Sequence, residues 1–436
     1  MPYLYIKTYG CQMNEYDSEV IAGLLFDKGY RLSYNLESAD LIVVNTCYVR
    51  EKVKQKVLSF LGELKKIKEK KDVIIGIGGC LVQKDPQEIA KRAPFVDFLF
   101  GTLNLHRLPL ILEKLKTYRE KLPLIEVEED KNLPDSLPVL RKKNFSCFIP
   151  VIRGCNNFCS YCNVPYVRGR EKSRPLPIIL EEVKEAVKKG AKEVVLLGQN
   201  VNSYGKDLPE KVDFAHLLSE VNKIEGVKWI RFLTSHPKDI SERLIRKIAE
   251  LEKVCEHLHL PLQSGSNRIL KLMRRGYTRE KYLEIVEKVR EAVPDITITT
   301  DIIVGFPGEE EKDFEDTLDM IRKVKFDGAF TFEFSPLPGT LASSLEKQVP
   351  REVKRRRLRE LIKLQQEILE EKNKELVGKV EEVLVEDVSP KNEKELQGKT
   401  RGAKTVVFPA DKTLIGNFVK VRIEKAGCWA LRGKLL

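Results

Sequence analysis

Residues 154–162 have the sequence GCNNFCSYC and directly follow a predicted strand, Cys147–Ile152. Cys155, Cys159 and Cys162 give the spacing C-x3-C-x2-C. Three thiolates on one tight loop can hold three irons of a [4Fe–4S] cubane and leave the fourth iron without a protein ligand. Because an open iron can bind a small molecule directly, the pattern predicts a catalytic iron–sulfur cluster at the end of this strand.

This stretch has two simpler interpretations, a structural zinc site and a group of buried structural cysteines. A structural zinc site needs a fourth Cys or His at short spacing, and the nearest histidines in sequence are His106 and His216. Buried structural cysteines have no reason to crowd into one short loop. The iron–sulfur interpretation is therefore favoured over both.

The region around this loop alternates predicted strands with predicted helices. The strands are Cys147–Ile152, Glu193–Leu197, Trp229–Leu233, His257–Pro261, Ile296–Val304 and Gly328–Phe334. Helical patterns such as Leu180–Lys189 and Glu280–Ala292 lie between them. Six β/α units predict a partial (β/α)6 barrel over residues 145–350 rather than the full eight-unit barrel.

Residues 1–120 repeat this alternation on a smaller scale. Strands are predicted at Tyr3–Tyr9, Leu41–Asn45, Val73–Ile77 and Phe95–Phe100, and helices at Tyr16–Lys28, at Val49–Lys68 and from Pro86. Continuous Ile/Val runs between helices are typical of a parallel sheet buried on both faces. We therefore expect an α/β domain with a doubly wound parallel sheet.

One cysteine follows each of three predicted strands in this domain. These are Cys11, Cys47 and Cys80. The C-terminal ends of parallel strands share one edge of the sheet, where open α/β sheets bind ligands. A single cysteine there would most simply be a core residue. Three in the same register predict a second cluster, again with three thiolates and one open iron.

The remaining segments differ in character from these two domains. Residues 121–144 contain three prolines and an acidic cluster and predict an interdomain linker. Residues 351–374 predict a charged helix whose Arg355–Arg357 run either contacts phosphates or forms a solvated face. Residues 375–436 carry short β-branched runs typical of a small antiparallel β-barrel, namely Val380–Val385, Thr405–Phe408 and Val419–Ile423.

The overall composition excludes several classes of protein. The chain of 436 residues has 77 Lys and Arg against 65 Asp and Glu, and this net charge of +12 fits a polyanionic partner. No apolar run approaches the ~18 residues of a membrane helix, and the start does not resemble a signal peptide. Nine cysteines, an odd number, do not fit a disulfide framework. We therefore expect a cytoplasmic protein without a membrane partner.

Several motifs in combination resemble the methylthiotransferase family of radical S-adenosylmethionine (SAM) enzymes over essentially the whole chain. They are YGCQMN (9–14), NTC (45–47), GGC (78–80), the 155–162 cysteine motif, PYVRGREKSRP (165–175), GQNVNSYG (198–205) and HLPLQSGS (259–266). Asn163 departs from the family pattern, in which an aliphatic residue is usual. Residues 12–14 and 234–237 favour members that act on isopentenylated adenosine in tRNA over those that act on a ribosomal protein or on threonylcarbamoyl-adenosine.

The resemblance implies a radical reaction on tRNA. One electron from the cluster of Cys155, Cys159 and Cys162 would cleave SAM to methionine and a 5′-deoxyadenosyl radical. The product would carry a methylthio group on carbon 2 of N6-isopentenyladenosine beside the anticodon. A second SAM would donate the methyl group, and the second [4Fe–4S] cluster would hold the sulfur.

The resemblance also implies residues that bind SAM. Tyr161 matches the family position that packs near the adenine, although an ordinary strand-end aromatic is an equal alternative. Six other candidates follow predicted barrel strands, where barrel sites are built, and local turn hydrogen bonds are the alternative role for each. They are Gln199, Asn200, Ser235, Gln263, Ser264 and Gly305.

Residues 375–436 resemble a TRAM domain, a small RNA-binding β-barrel. The implied partners are the anticodon stem-loop of tRNA, an electron donor such as a flavodoxin or ferredoxin, and a sulfur donor. Two alternatives stay open. One is a methylthiotransferase that acts on threonylcarbamoyl-adenosine, and the other is an RNA-binding iron–sulfur protein without catalysis.

Overall fold

A computed structural model describes residues 1–48, 51–117, 123–128 and 134–436, with the backbone alone for 51–53. The first of two units comprises residues 1–142, 148–158 and 162–179, and the second comprises 143–147, 159–161 and 180–436. Residues 148–158 and 162–179, which the sequence assigns to the central barrel, thus group with the N-terminal domain. The start of the helix predicted at Val49–Lys68 lies outside the described residues.

Six parallel strands form the main sheet of the first unit, in the order β2-β1-β3-β4-β5-β6. They are β1 (Tyr3–Thr8), β2 (Arg31–Leu32), β3 (Leu41–Thr46), β4 (Ile74–Gly79), β5 (Phe98–Phe100) and β6 (Leu124–Glu126). The central strand β3 is buried along its whole length. A parallel sheet covered by helices on both faces requires such a strand.

Helices cover both faces of this sheet. They are α1 (Gln12–Phe26), α2 (Glu51–Lys70), α3 (Cys80–Lys84), α4 (Pro86–Arg92) and α5 (Leu108–Thr117). Apolar residues of α1 and α5 share one core, whereas those of α2, α3 and α4 pack into another. The predicted doubly wound sheet is therefore confirmed.

The segment predicted to be a linker, residues 121–144, contributes a strand to this sheet. Leu124–Glu126 of β6 pair in parallel with Phe98–Phe100 of β5. The expectation of a linker is wrong for these residues, because a run of three is too short to show a period. Residues 118–122 and 129–133 lie outside the described part of the chain.

Glycines in β4 make room for aromatic rings of β5. Gly76 is aligned with Phe98 and Gly78 with Phe100. A Cβ atom at Gly76 would lie 2.0 Å from the Phe98 ring, and one at Gly78 would lie 2.1 Å from the Phe100 ring. The two phenyl rings thus fill the space that side chains on β4 would occupy, and this pairing fixes the strand that leads into Cys80.

The partial (β/α)6 barrel is confirmed as two three-stranded sheets with the orders β7-β10-β11 and β12-β13-β14. The strands are β7 (Ser146–Pro150), β8 (Ile152–Arg153), β9 (Lys172–Ser173), β10 (Glu193–Leu197), β11 (Trp229–Phe232), β12 (His257–His259), β13 (Thr297–Val304) and β14 (Gly328–Glu333). Within the described part of the chain, β8 and β9 form a separate two-stranded antiparallel sheet. A parallel bridge between Ile230 and Val254 links β11 to the segment before β12.

Helices alternate with the barrel strands, and one more helix follows the last strand. They are α6 (Val164–Val167), α7 (Leu176–Lys188), α8 (Phe214–Asn222), α9 (Glu242–Glu250), α10 (Asn267–Leu272), α11 (Arg279–Ala292), α12 (Glu311–Val324) and α13 (Arg351–Lys374). None of the described helices is long and apolar enough to cross a membrane.

The charged helix α13 packs against the barrel through some of its basic residues. Arg357 is buried and lies 2.8 Å from Glu309 and 3.0 Å from Glu311. Arg356 lies 2.7 Å from Glu311. The phosphate-contacting interpretation of the Arg355–Arg357 run is therefore wrong for Arg357, because its rotational position on the helix turns it toward acidic side chains of the same unit.

The C-terminal region closes into a five-stranded barrel of order β15-β16-β17-β19-β18. The strands are β15 (Val380–Ser389), β16 (Asn392–Thr400), β17 (Thr405–Pro409), β18 (Phe418–Ala426) and β19 (Leu431–Leu435). The antiparallel barrel is as predicted apart from one parallel pair, β17 with β19. The sequence pattern misses β16 and β19, because charged and small residues dominate them.

The turn at residues 400–404 of this barrel is inserted against the inner face of the (β/α)6 barrel. Arg231 of β11 donates hydrogen bonds to the carbonyls of Thr400 and Arg401 at 2.7 and 2.6 Å. Thr297 of β13 donates to the carbonyl of Gly402 at 2.7 Å. Buried polar groups of one barrel thus depend on the other for their partners.

We expect Gly76→Val to destabilise the first unit by about 1–3 kcal/mol, because the added side chain overlaps the buried Phe98 ring. The measurement is the midpoint of thermal unfolding followed by circular dichroism. Gly62→Ala in α2 is the matched control, since a Cβ there meets nothing within 4 Å. It should raise stability by up to about 1 kcal/mol through helix propensity. Equal midpoints for the Gly76 variant and wild type would contradict close packing of Gly76 against Phe98.

Candidate functional site

Cys11, Cys47 and Cys80 lie directly beyond neighbouring strands of one parallel sheet. Register aligns Thr8 with Asn45 and Thr46 with Gly79, so the strands that precede the cysteines end together. Cys11 precedes α1 and is exposed, Cys80 is the first residue of α3 and is buried, and Cys47 is buried after β3.

A buried network of hydrogen bonds holds these strand ends in place. Asn14 donates to Asn45 Oδ1 at 3.3 Å and to the Thr46 carbonyl at 3.2 Å. Asn45 donates in return to the Asn14 carbonyl at 2.8 Å and to Ser18 at 3.0 Å. Asn14 also accepts from the Cys11 backbone at 3.4 Å. The polar residues beside Cys11 and Cys47 therefore position the turns that carry these two thiols.

Arg168 lies beside this first cysteine set. Its guanidinium is buried and lies 2.7 Å from Asp17. Burial lowers the pKa of Arg168, but the charges of Asp17, Cys80 and Cys11 outweigh it and raise the pKa above its usual value. Burial raises the pKa of the Cys80 thiol, and Arg168 opposes this effect. The arginine thus places a fixed positive charge where the thiolates are predicted.

The loop that carries the second cysteine set has its own supports. Gly154 takes a φ of +74°, and a Cβ there would lie 2.0 Å from the Arg170 carbonyl. The Cys155 backbone donates to the Gly169 carbonyl at 3.2 Å. The Val164 backbone donates to Cys162 Sγ at 3.4 Å. Segment 165–175 thus supports Cys155, while the start of α6 supports Cys162.

Cys159 and Tyr161 belong to the second unit, where both contact Arg275. Arg275 Nη1 lies 3.4 Å from Cys159 Sγ and 3.5 Å from the Tyr161 hydroxyl. Its Nη2 donates to the Pro261 carbonyl at 3.2 Å. Burial lowers the pKa of Arg275, but Tyr161, Tyr277 and Cys159 raise it well above its usual value. This second arginine also places a buried positive charge at a predicted cluster ligand.

His236 is another polar residue of the second unit, and it follows β11 in the chain. Burial, followed by the charge of Arg275, lowers the pKa of His236 to about 2. Nδ1 accepts from the Lys238 backbone at 3.3 Å, so the neutral ring carries its proton on Nε2. Nε2 is buried and makes no hydrogen bond with any described residue. His236 therefore offers a donor that sequence reasoning missed.

Four of the predicted SAM-binding residues also have buried polar atoms without a partner in the described part of the chain. The atoms are Gln199 Oε1, Asn200 Oδ1, Ser235 Oγ and Gln263 Oε1. Native proteins rarely leave such atoms without a partner, and a polar ligand is one explanation. The amino, carboxylate and hydroxyl groups of SAM are suitable partners, so this set fits the cofactor.

Two other predicted SAM-binding residues make internal contacts. The hydroxyl of Ser264 accepts from the Ser266 backbone at 3.3 Å and lies 3.5 Å from the Thr317 hydroxyl. The Gly305 backbone donates to Glu309 at 2.5 Å. Burial raises the pKa of Glu309 to about 7. Local structure thus already uses the polar groups of Ser264 and Gly305.

The donor chemistry of both cysteine sets fits iron–sulfur clusters. Each set offers three thiols, and thiolate is the ligand that such clusters take. No three Cys, His, Asp or Glu side chains among the described residues stand close enough to share one metal ion. A cubane instead takes its three thiolates on three different irons.

Family models match all three parts of the chain. The Radical SAM superfamily matches residues 149–321, the uncharacterized protein family UPF0004 matches 3–101, and the TRAM domain matches 374–436. The fold and the site thus define a radical SAM enzyme with an added TRAM domain.

Curated relatives cover the full length of the chain. The tRNA-2-methylthio-N(6)-dimethylallyladenosine synthase of Thermoanaerobacter pseudethanolicus is 50% identical over 100% of this chain and 93% of its own. That of Carboxydothermus hydrogenoformans is 50% identical over 99% of both chains. The chain belongs to the family of tRNA-2-methylthio-N(6)-dimethylallyladenosine synthases. Radical SAM enzymes of this family use [4Fe–4S] clusters and SAM.

Solved structures resemble the fold at low sequence identity. The radical SAM methyltransferase TsrM from Kitasatospora setae gives a TM-score of 0.58 at 13% identity, over 79% of this chain and 75% of its own. The cobalamin-dependent SAM radical enzyme OxsB gives 0.53 at 14% identity, over 84% and 56%. These similarities support the arrangement of strands and helices.

We expect Arg275→Gln to lower the midpoint potential of the cluster at Cys159. Loss of a buried positive charge disfavours the reduced state, and a shift of roughly 60 mV corresponds to a tenfold change in a one-electron equilibrium. A redox titration followed by electron paramagnetic resonance measures the shift. Arg274→Gln, at the exposed neighbouring arginine, is the matched control and should leave the potential unchanged. If the folded Arg275→Gln and Arg274→Gln variants have the same midpoint potential, the electrostatic role of Arg275 is refuted.

Proposed function

We propose that this enzyme adds a methylthio group to carbon 2 of N6-isopentenyladenosine beside the anticodon of tRNA. The observation that carries the proposal is the presence of two separate sets of three cysteines, each with a buried arginine against a thiol. One set suits radical generation and the other suits sulfur delivery. A transfer of both sulfur and methyl to an inert carbon needs both functions.

The second set, Cys155, Cys159 and Cys162, would hold the catalytic cluster. Carbon 2 of adenine carries an unactivated C–H bond, which acid–base side chains do not cleave. When bound, the cluster and SAM supply the radical chemistry that removes this hydrogen. Arg275 keeps a positive charge at Cys159, and Tyr161 lies against Arg275.

Several residues of the second unit would bind and orient SAM. Gln199, Asn200, Ser235 and Gln263 contribute buried polar atoms, and neutral His236 contributes an N–H donor. Ser264 and Gly305 would act mainly by shaping the turns that hold these groups. Fixed donors and acceptors of this kind orient a substrate without reorganising during the reaction.

The first set, Cys11, Cys47 and Cys80, would hold the auxiliary cluster that carries the sulfur. The Asn14–Asn45 network fixes the turns of Cys11 and Cys47, and Arg168 offsets the negative charge of the thiolates. An external sulfur donor and an electron donor such as a flavodoxin or ferredoxin complete the reaction. The full-length relatives are named for the isopentenylated substrate, which favours it over threonylcarbamoyl-adenosine.

The TRAM domain would contact the RNA through β18, β19 and the turn between them. Lys420, Arg422 and Lys434 are exposed on these strands, and register aligns Arg422 with Lys434. The side chain of Trp429 is 67% exposed on the turn. Asn373 of α13 donates to the carbonyls of Gly427 and Cys428 at 2.9 and 3.2 Å, which fixes this turn. Exposed basic residues on two strands and an exposed aromatic residue on the turn that joins them suit an unpaired RNA segment.

The two cysteine sets should be separable by mutation. Reconstituted wild type should hold about 8 irons per chain, four in each cubane. Replacing Cys155, Cys159 and Cys162 with Ala should leave about half and abolish 5′-deoxyadenosine formation. Replacing Cys11, Cys47 and Cys80 should also leave about half, yet preserve 5′-deoxyadenosine formation without a methylthio product. Iron analysis and nucleoside mass spectrometry measure these results.

The control for this experiment replaces Cys147, Cys255 and Cys428, which lie outside both sets, and should retain about 8 irons. Circular dichroism must show that each variant is folded. The proposal fails if wild type saturates near half this iron content. It also fails if a folded Cys11, Cys47 and Cys80 variant still forms the methylthio product.

Variants on the outer face of the TRAM domain should weaken RNA binding. Trp429→Ala should lower affinity for an anticodon stem-loop about tenfold through lost stacking. The double variant Arg422→Gln with Lys434→Gln should reduce the slope of log affinity against log salt concentration by the amount expected for about two phosphate contacts. Fluorescence anisotropy at several salt concentrations measures both. Lys391→Gln with Lys394→Gln removes the same charge from β16 and its turn and is the control. If the control pair reduces the salt dependence of RNA binding as much as the Arg422 and Lys434 pair does, the face formed by β18 and β19 is not the RNA-binding surface.

A further inference from the structure

The inner face of the second half-barrel carries a row of residues that the cysteine and SAM sites do not use. Burial alternates along β13, with Ile298, Thr300, Ile302 and Val304 buried and the intervening residues half-exposed. Thr300 lies on the side of the sheet that faces the helices. Its hydroxyl and that of Tyr282 in α11 both donate to the Leu260 carbonyl. Asp301 and Ile303 therefore face the interior of the barrel.

Parallel register brings residues of β12 and β14 onto the same face. His259 is aligned with Thr299, Phe330 with Asp301, and Phe332 with Ile303. We call His259, Asp301, Ile303, Phe330 and Phe332 the inner wall. The turn at Gly402 closes the base of this face through its bond to Thr297.

The polar part of the inner wall is held in a fixed orientation. His259 Nδ1 lies 3.0 Å from the Thr299 hydroxyl, and Nε2 lies 3.4 Å from Asp301 Oδ2. The His259 ring meets the Phe330 ring edge to face at 5.9 Å. The other carboxylate oxygen of Asp301 makes no hydrogen bond within the described ranges, so it can accept one from a ligand.

The apolar part of the inner wall is accessible to a ligand. Phe330 is 58% exposed on β14, the last strand of its three-stranded sheet. Ile303 and Phe332 are half-exposed next to it toward the C-terminal end of the strands. The inner wall thus presents an aromatic ring, a carboxylate oxygen that can accept a hydrogen bond, and an apolar surface beside them. These features are complementary to a flat base that carries one N–H and an apolar substituent.

We propose that the inner wall recognises the N6-substituted adenine itself. Phe330 stacks on the purine, Asp301 accepts the single N6–H, and Ile303 and Phe332 contact the isopentenyl group. A threonylcarbamoyl group carries its own carboxylate, and the negative charge of Asp301 repels it. This inference rests on the proposed function, because it assigns to that substrate the residues that select it.

The test compares binding of three anticodon stem-loop RNAs to the full-length, cluster-loaded protein. The RNAs carry adenosine, N6-isopentenyladenosine or threonylcarbamoyl-adenosine at the target position. Fluorescence anisotropy without reductant reports affinity without turnover. Wild type should prefer the isopentenylated RNA over both others by about tenfold or more, the scale of one well-placed apolar group.

Three variants at two residues separate the contributions of the inner wall. Phe330→Leu should lower affinity for the isopentenylated RNA about tenfold, and Phe330→Tyr should restore it because the ring remains. Asp301→Asn should reduce the discrimination against the threonylcarbamoyl RNA. Phe26→Leu and Asp27→Asn make the same changes at exposed residues at the end of α1 and should leave all three affinities unchanged.

The outcomes distinguish this inference from the proposed function. The inner wall is refuted if wild type shows no preference, or if Phe330→Leu and Asp301→Asn bind all three RNAs as wild type does. A wild type that shows the preference and the variant effects, but forms no methylthio product under reducing conditions, refutes the proposed function and supports the inner wall.

Discussion

Parallel strand pairing is the constraint on which both halves of this enzyme depend. Because every strand of a parallel sheet points the same way, the residues that follow the strands meet at one edge. In the first unit this edge gathers the turns of Cys11, Cys47 and Cys80. In the second unit it gathers Gln199, Ser235 and other polar residues beyond successive strands. A binding site built in this way needs no contiguous motif, only one residue after each strand.

Buried arginines are the second feature that the two cysteine sets share. A guanidinium without a partner is costly to bury, and partners of opposite charge or good hydrogen-bond geometry reduce the cost. Arg168 has Asp17, whereas Arg275 has the Pro261 carbonyl and the Tyr277 hydroxyl. These contacts are present in the protein itself, so the charge is in place before any cluster binds. Such preorganisation would favour thiolate ligands and tune the potential of a cluster held there.

The docking of the C-terminal barrel gives the RNA-binding module a defined place in the second unit. Its turn at 400–404 supplies hydrogen-bond acceptors to Arg231 and Thr297 on the inner face of the larger barrel. Asn373 of α13 holds the turn that displays Trp429. RNA held on this module would therefore lie in a fixed relation to the inner wall, which is what positioning a single base for reaction requires.

Local sequence patterns determined the α/β alternation, the doubly wound sheet, the six barrel strands and both groups of cysteines. Each of these depends on spacing along one segment or on residues that directly follow a strand. Contacts across the chain were decided by tertiary structure alone. Arg275 meets Cys159 across 116 positions, β6 pairs only because β5 offers an edge, and Arg357 faces Glu309 only because of the rotation of α13. Register and helix rotation arise when elements pack, and no local period encodes them.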